Sequence, residues 1–547
     1  MGIPGFFSNI LKNYASIIQN RHFHRINGTL FHSLYMDCNS IVYDSYYALI
    51  KHADGLSSIL SSIPEFESSL IQKVIAKIDE YIRQINPTCT LYISFDGVAP
   101  FAKMDQQRTR RYKSWYNSLL DFNRDSNRDP KIKWDTAAIT PGTLFLKNLS
   151  NAVNMAFLNA ELKYGVNRII VSTSDEAGEG EHKMFQYIRS NRDPQLNENV
   201  MVYGLDADLI MLSIFHCHYC KNIYVFREAP EFIKSRVIEG VEPNELLFMD
   251  IRLLNTCIIR EMDCAYNDPH RTHDYLFLCF LLGNDFLPHF PAFNIRTSGI
   301  QILLDTYRNK IGGYHDRFFI SKKTFKIQWK WVLFFMTELA IHEHEYILQE
   351  YTVRDKMDHY QWTQTTPEEK EKMLSNAPII YRTEEKYICP EEAGWEQRYY
   401  KSLFGKKWNT KVICHNYLEG LEWVFRYYTT GCPDWKWKYN YSYPPLLKDL
   451  IQYIPKQEMN FIFSDSVLNR PFLPAVQLAY VLPPAYHYLM GDKVKAYLHR
   501  EYMRFYPEEF SFQWAFCRYF WEAHVLLPEI PIELLEKWNI HAKFQEL

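Results

Sequence analysis

The sequence predicts an α/β protein in which a mostly parallel, twisted sheet is flanked by helices. A second, mainly helical and aromatic-rich region is expected to pack against that core. Two observations lead to this prediction. Between residues 33 and 296, short apolar segments alternate with longer amphipathic ones, which is typical of strand–helix–strand units in a parallel sheet. From residue 399 onward the chain is rich in aromatic residues and proline, too apolar to remain in solvent.

Each predicted strand is a short β-branched or aromatic run followed by Asp, Gly, Asn or Ser. The predicted strands cover residues 34–36, 89–95, 168–172 and 200–205. Helices are predicted over 70–85 and 143–162, and the second opens at Thr140-Pro141, a capping residue followed by a proline in the first helical position. In parallel sheets, ligand sites form beyond the carboxyl ends of the strands, so the functional residues are expected there.

Three parts are predicted along the 547 residues, because a chain of this length exceeds one ordinary core. Residues 1–350 form the first region. Residues 351–396 are polar and dense in charge and form a linker or a peripheral helical insertion. Residues 397–547 form the second region, which completes the site.

The charge balance argues against a nucleic-acid binder that works by overall positive charge. The cysteines and the length of the apolar runs argue against a secreted or membrane-spanning protein. Sixty-one Lys and Arg residues against 64 Asp and Glu residues leave a net charge of -3, so a polyanion must be bound by a local basic patch. Eleven scattered cysteines, no apolar leader and no apolar run of ~20 residues predict a soluble, intracellular protein with reduced thiols. Without a run of five basic residues, the cytoplasm is the expected compartment, with the nucleus as the alternative.

Acidic residues follow the predicted strands and one later apolar segment. If the strands are parallel, these residues meet at one edge of the sheet. They are Asp37, Asp96, Glu179, Glu181, Asp206, Asp208 and Asp285.

Such a cluster requires neutralisation, because two unit charges ~4 Å apart repel by roughly 4 kcal/mol at an effective dielectric near 20. Either several carboxyls stay protonated or hard divalent cations lie among them. Carboxylates and water are the ligands that Mg²⁺ and Mn²⁺ prefer, and a pair of such ions suits phosphodiester cleavage. A lone Asp after a strand is usually a cap, but seven acids in this pattern favour the metal interpretation.

A basic stripe follows Asp96. Lys103, Gln107, Arg110 and Arg111 are spaced i, i+4, i+7 and i+8, so they share one face of a helix. The stripe can bind a terminal phosphate, with arginine supplying forked contacts. A solvated basic face is the alternative, but the position beside the acids favours a phosphate socket. Such a socket would distinguish an exonuclease from an endonuclease.

Several motifs together resemble the XRN family of 5′→3′ exoribonucleases. They lie in order along nearly the whole chain, at residues 1–7 (MGIPGFF), 96–100 (DGVAP), 139–143 (ITPGT), 178–183 (GEGEHK), 203–211 (YGLDADLIM), 282–288 (LGNDFLP) and 417–423 (YLEGLEW). The chain resembles a compact form of the family without long C-terminal extensions.

The resemblance implies a PIN/FEN-like nuclease core that hydrolyses single-stranded RNA with a 5′ monophosphate. The reaction would be processive, use two-metal-ion catalysis with Mg²⁺ (Mn²⁺ as the alternative) and release mononucleotides. Carried over to this chain, the seven acids above would be the catalytic metal ligands. Lys103, Gln107, Arg110 and Arg111 would bind the 5′ phosphate.

Two positions depart from the family pattern. Tyr43 stands where the family has a histidine that stacks on the 5′ base, and a phenol can stack equally well. Phe101 stands where relatives often carry a basic residue, which is expected to weaken the grip on the RNA backbone. Trp521 is the expected stacking partner from the second region, with Trp435 and Trp437 as rivals.

The sequence therefore predicts a Mg²⁺-dependent 5′→3′ exoribonuclease. One alternative is a catalytically silent RNA-binding scaffold, which the intact acidic set disfavours. Another is a flap-type DNA nuclease, which the absence of a recognisable duplex-binding helical motif disfavours.

Overall fold

The computed structural model describes residues 3, 5–20, 28–56, 62–124, 134–191, 196–204, 207–228, 245–359, 362–463 and 469–545. Within these residues, seven strands of the first region form one sheet in the order β1-β7-β6-β5-β2-β3-β4, in which β7 alone is antiparallel to its neighbours. The strands are β1 (Ile18–Asn20), β2 (Ser33–Asp37), β3 (Thr90–Ser94), β4 (Arg168–Ser172), β5 (Asn199–Tyr203), β6 (Asn222–Glu228) and β7 (Leu246–Asp250). This mostly parallel sheet agrees with the predicted fold class.

The four predicted strands are β2 to β5. β2 lies at the centre, between β5 and β3, and both pairings are parallel. Successive side chains of a strand point to opposite faces. Leu34 and Met36 accordingly join one buried cluster and Tyr35 the other, so helices cover both faces and the functional residues can emerge only at the strand ends.

Helices flank the sheet and form most of the remaining chain. Those of the first region are Phe6–Asn13, Asn39–Leu56, Ile63–Ile85, Phe101–Arg124, Leu144–Phe157, Glu161–Tyr164, Gly180–Ser190, Ala207–His216, Ile251–Met262, Arg271–Phe280, Gly299–Tyr307 and Trp329–Ile341. Those that follow are Glu343–Asp358, Pro367–Ser375, Ala377–Ile380, Thr383–Ile388, Trp395–Phe404, Thr410–Thr429, Leu447–Leu450, Pro474–Val481, Asp492–Glu501 and Ile532–Ile540. A short hairpin, β8 (Ser511–Gln513) with β9 (His524–Leu526), lies near the C-terminus.

The helix expected to open at Thr140-Pro141 begins later, at Leu144. Gly142 has φ +95°, a left-handed conformation that keeps residues 140–143 in a turn. The Thr143 hydroxyl is the actual cap and accepts from the Leu146 N–H at 3.4 Å. The predicted helix 143–162 is also divided, since Asn159 has φ 55° and a second short helix follows it.

The charged segment 351–396 is folded into helices that pack on the rest of the chain. The predicted boundary after residue 350 lies inside the helix Glu343–Asp358. Glu385 is fully buried, and Arg354 and Arg382 neutralise it at 2.5 Å and 2.6 Å.

The second region packs on the helix Phe101–Arg124. Phe101 is buried there, with its ring 5.2 Å from that of Tyr480. This side chain therefore belongs to the interface between the two regions, and the expectation that Phe101 weakens the grip on the RNA backbone stays a prediction. Within the described residues, none of the helices combines the length and apolar character needed to cross a bilayer.

Candidate active site

The carboxyl ends of the parallel strands open onto a cavity of about 360 Å³, here called the acidic cavity. The predicted site residues that line it are Asp37, Asp96, Glu179, Glu181, Asp208, Lys103, Gln107, Arg110, Arg111 and Tyr43. Asp206 lies outside the described residues. The structure thus brings five predicted acids and the whole basic stripe around one space.

The strand ends and one glycine place the first acids. Asp37 ends β2 opposite Ser94, the last residue of β3. Asp96 lies two residues further on, and its carboxylate accepts from the Gly180 N–H at 2.7 Å. A Cβ atom on Gly180 would lie 2.8 Å from Asp37 Oδ1, so glycine is needed for the helix Gly180–Ser190 to begin this close to the strands.

The carboxyl groups in the acidic cavity crowd one another. Burial, followed by the nearby charges of Asp208 and Glu179, raises the pKa of Glu181 well above its usual range. Burial and the charge of Glu179 likewise raise the pKa of Asp96. Both shifts have the sign expected where carboxylates lack compensating positive charge, so the cavity favours a cation.

Lys103 supplies part of the positive charge that compensates these carboxylates. Its Nζ lies 2.6 Å from Glu179 Oε2 and 2.8 Å from Asp285 Oδ2. Burial alone would lower the pKa of Lys103, but Asp285 and Glu179 outweigh it and raise that pKa. Burial would raise the pKa of Asp285, yet Lys103 holds it below its usual range. Asp285 is thus joined to the acidic cavity through Lys103, which lies among the acids as well as on the basic stripe.

The donor chemistry of the acidic cavity suits a hard divalent cation. All the candidate ligands are carboxylate oxygens, the donor type that Mg²⁺ and Mn²⁺ prefer. In the described part of the chain, no group of three or more His, Cys, Asp or Glu side chains is already arranged to ligate one ion. Some of these carboxylate oxygens accept hydrogen bonds from other side chains, and one forms an ion pair with Lys103.

Two adjacent tyrosines of the helix Thr410–Thr429 supply hydrogen bonds of this kind. The Tyr427 hydroxyl donates to Glu179 Oε1 at 2.6 Å, and the Tyr428 hydroxyl donates to Asp208 Oδ1. Both phenols are buried, and burial is the main cause that raises their pKa values, so they remain donors. Sequence reasoning missed these residues because nothing in a Tyr-Tyr pair distinguishes a hydrogen-bond donor from core packing.

The basic stripe is held by the turn that precedes Leu144. Arg111 Nη2 donates to the Ile139 carbonyl at 3.0 Å and to Thr140 Oγ1 at 2.8 Å. The turn therefore orients the guanidinium toward the acidic cavity. Arg110 is exposed and makes no ion pair with any residue that the structure describes, so its charge is open to a ligand.

The aromatic side chains are divided between two cavities. Tyr43 and Tyr47 line the acidic cavity. Trp521 lines a second cavity of about 330 Å³, which shares Arg110 with the first. Trp521 is 44% exposed there, with Arg296 5.8 Å from its ring. The structure therefore does not bring the expected stacking pair, Tyr43 and Trp521, into one cavity.

The rival tryptophans also lie away from the acidic cavity lining. Trp437 is buried, and its ring stacks on Trp423 at 5.2 Å. Trp435 is half-buried, and its carbonyl accepts from the Phe101 N–H at 2.9 Å. Trp437 thus packs within the second region, whereas Trp435 joins that region to the start of the helix Phe101–Arg124.

Two family models match this chain. One describes the N-terminus of XRN 5′-3′ exonucleases and matches residues 1–229. The other describes the Xrn1 helical domain and matches residues 265–391 and 388–539. The first match covers the sheet with its acidic strand ends, and the second covers the helices that supply Tyr427 and Tyr428.

Curated relatives align along almost the whole chain. The 5′-3′ exoribonuclease 2 of Gallus gallus is 27% identical over 676 residues, covering 96% of this chain and 68% of the relative. The 5′-3′ exoribonuclease 1 of Schizosaccharomyces pombe is 25% identical, covering 97% and 48%. The 5′-3′ exoribonuclease 1 of Homo sapiens is 26% identical, covering 100% and 34%.

Proposed function

The chain belongs to the XRN family of 5′-3′ exonucleases, and from this membership we propose that it is a processive 5′→3′ exoribonuclease. The proposed substrate is single-stranded RNA with a 5′ monophosphate, and the products are mononucleotides. The acidic cavity carries the proposal, because carboxylates and phosphate-binding side chains surround one space. An RNA end held by the basic stripe would have its first phosphodiester beside the acids.

Arg110 and Arg111 would bind the terminal phosphate. The turn uses both Nη2 hydrogens of Arg111, and Nη1 donates to the Thr136 carbonyl at 3.4 Å. The Nε–H and the second Nη1 hydrogen are then the donors that Arg111 would offer to the ligand. Charge-assisted hydrogen bonds of this type are stronger than neutral ones. If the socket is matched to one phosphate, as we propose, capped or triphosphorylated RNA should be degraded slowly.

Asp37, Asp96, Glu179, Glu181 and Asp208 would hold a divalent cation, for which we propose Mg²⁺ with Mn²⁺ as the alternative. A cation held there supplies Lewis-acid stabilisation to the phosphodiester undergoing attack. Tyr427 and Tyr428 donate hydrogen bonds that orient two of the carboxylates. Lys103 forms ion pairs with both Glu179 and Asp285. Tyr43 offers a ring for the 5′ base.

A time course on RNA labelled at either end tests this proposal. With 5′-monophosphate RNA and Mg²⁺, the 5′ label should be released at once as mononucleotide, while the 3′-labelled strand disappears without a ladder of intermediates. EDTA should stop the reaction. Equal rates on 5′-hydroxyl, capped and monophosphate RNA would contradict the socket. RNA binding without cleavage would favour a silent scaffold, and preferred cleavage of DNA flaps would favour a flap nuclease.

Asp208→Ala is the matched variant for the same assay. It should abolish hydrolysis but leave RNA binding measurable, since it removes a carboxylate and not the basic stripe. Full Mg²⁺-dependent activity in this variant would contradict the assignment of Asp208.

We also propose that the protein acts in the cytoplasm, with the nucleus as the alternative, because the sequence has no run of five or more basic residues. Imaging of the full-length tagged protein tests this, and a predominantly nuclear signal would contradict it.

A further inference from the structure

A buried glutamine of the second region reaches the residues that line the acidic cavity. Gln477 lies on the helix Pro474–Val481, and its side chain is 0% exposed. This helix packs against the helix Phe101–Arg124, which carries Gln107. A fully buried amide is costly unless its polar groups are hydrogen-bonded, so the partners of Gln477 show what its amide does.

The partners of Gln477 determine the orientation of its amide. The Ala99 N–H donates to Gln477 Oε1 at 2.9 Å. A backbone N–H can only donate, so the oxygen end of the amide must face Ala99. The nitrogen end then faces Gln107, where Nε2 donates to Gln107 Oε1 at 3.3 Å.

The orientation of the Gln477 amide in turn determines the orientation of the Gln107 amide. Its Oε1 accepts from Gln477, so its Nε2 points away from that partner. Gln107 lines the acidic cavity, and among the described residues none accepts a hydrogen bond from this Nε2. The group left for a ligand is therefore an N–H donor, which attracts a phosphate oxygen, whereas an amide oxygen would repel it.

We propose that Gln477 is a positioning residue that holds the Gln107 amide with its N–H groups toward the 5′ phosphate. Without Gln477, the Gln107 amide could turn by 180° and present its oxygen to the phosphate. Gln477 thereby raises the preference for RNA with a 5′ monophosphate over RNA with a 5′ hydroxyl. This inference rests on the proposed exoribonuclease function.

The test measures kcat and KM on 5′-monophosphate and 5′-hydroxyl RNA and compares the ratio of the two kcat/KM values. Gln477→Met removes both hydrogen-bonding groups at similar side-chain length. It should lower the ratio about 10- to 100-fold, the range for one hydrogen bond to a charged group. The loss should fall on the monophosphate substrate, mainly in KM.

Gln477→Glu gives a second, pH-dependent readout. The introduced carboxyl can still accept from Ala99, but it can donate to Gln107 only while protonated. At each pH, the ratio of the variant is divided by that of wild type. This quotient should be close to one at low pH and should fall as the introduced carboxyl ionises. Burial places that ionisation above the usual range of a glutamate. A residue that serves only packing would not produce this profile.

Two further variants serve as controls. Gln107→Leu should lower the ratio to the same extent, and adding Gln477→Met to it should lower the ratio no further, because the two residues act as one unit. Tyr480→Phe removes a part-buried 2.5 Å hydrogen bond from the same helix to Asp105 on the same partner helix. That variant should leave the ratio unchanged.

If Gln477→Met lowers kcat/KM by the same factor on both RNAs, the proposed role of Gln477 is wrong. Additive reductions of the ratio in the double variant would also overturn it. If Gln477→Met does not fold, the pH profile of Gln477→Glu decides, and a flat profile overturns the proposal. A wild-type protein that degrades both RNAs equally would instead contradict the proposed substrate, so the two failures are distinguishable.

Discussion

Replacing Lys103 with methionine tests how the acidic cavity is stabilised. In the structure, one ammonium group is shared by two carboxylates, with Nζ 2.6 Å from Glu179 and 2.8 Å from Asp285. The three side chains are 9%, 6% and 5% exposed. Methionine is unbranched and only one heavy atom shorter, so the change mainly removes the charge and the donor.

We expect this change to destabilise the metal-free protein by about 3–5 kcal/mol, the usual cost of breaking a buried ion pair by removing one partner. The cost arises because Glu179 and Asp285 remain buried without a cation. Added Mg²⁺ should recover part of the loss, since the released carboxylate oxygens become available to it.

The contribution of Asp285 to the pH dependence of stability should change sign. In wild type, Lys103 holds the pKa of Asp285 below its usual range. That carboxylate therefore contributes stability above the unfolded pKa of about 3.9, lost only as the pH falls toward the folded value. In Lys103→Met, burial without a cation raises the folded pKa. Protonation then stabilises the fold, and the free energy of unfolding should fall between pH 5 and 8 by up to about 1.4 kcal/mol per unit and proton.

Urea denaturation in EDTA at pH 5, 6, 7 and 8, followed by a Mg²⁺ titration, measures these effects. Lys448→Met is the matched control. It breaks an ion pair with the same 2.6 Å distance, to Glu396, but the two side chains are 47% and 33% exposed. The control should cost at most about 1 kcal/mol. A loss below that value in Lys103→Met, or stability that rises with pH, would refute the assignment of Lys103 as the buried counter-ion.

Three further substitutions have defined outcomes. Gly180→Ala should abolish activity and cost about 1–3 kcal/mol in denaturation, because its Cβ would lie 2.8 Å from Asp37 Oδ1; Gly313→Ala, with 3.9 Å to the nearest atom, should change neither. Tyr428→Phe should raise the Mg²⁺ concentration for half-maximal activity about 10–100-fold, whereas Tyr443→Phe, at a buried tyrosine outside the acidic cavity lining, should not. Tyr43→Ala should weaken RNA binding by about 1–3 kcal/mol and Tyr43→Phe should not, as measured by fluorescence anisotropy; equal loss in both would contradict stacking.

The strands and their acidic ends were predictable because both depend on local pattern. Short apolar runs with alternating faces define β2 to β5, and an acid directly after a buried strand must emerge at its end. Asp37, Asp96 and Asp208 lie where this reasoning places them. The start of the helix Leu144–Phe157 was not predictable in the same way. Thr140-Pro141 has the composition of a helix start, and the φ of Gly142 decides otherwise.

Helical spacing predicted which residues share a face but not what each one meets. Lys103, Gln107, Arg110 and Arg111 all line the acidic cavity, as their spacing predicts. Their chemical environments nevertheless differ. Lys103 is buried between two carboxylates, whereas Arg110 is exposed and borders both cavities. A stripe defined by angle alone cannot distinguish a counter-ion from a free phosphate-binding charge, because that difference comes from distant segments.

The contribution of the second region follows the same principle. Tyr427 meets Glu179 across 248 positions of the sequence, and Gln477 meets Gln107 across 370. These contacts carry no local signal, since an aromatic pair and a lone glutamine occur in any packed helix. Their effect is directional: each donates a hydrogen bond to a cavity residue and so determines which of its atoms remain for substrate or metal. If the variants above behave as expected, the second region contributes to substrate choice by orienting cavity side chains, although none of its described residues lines the acidic cavity.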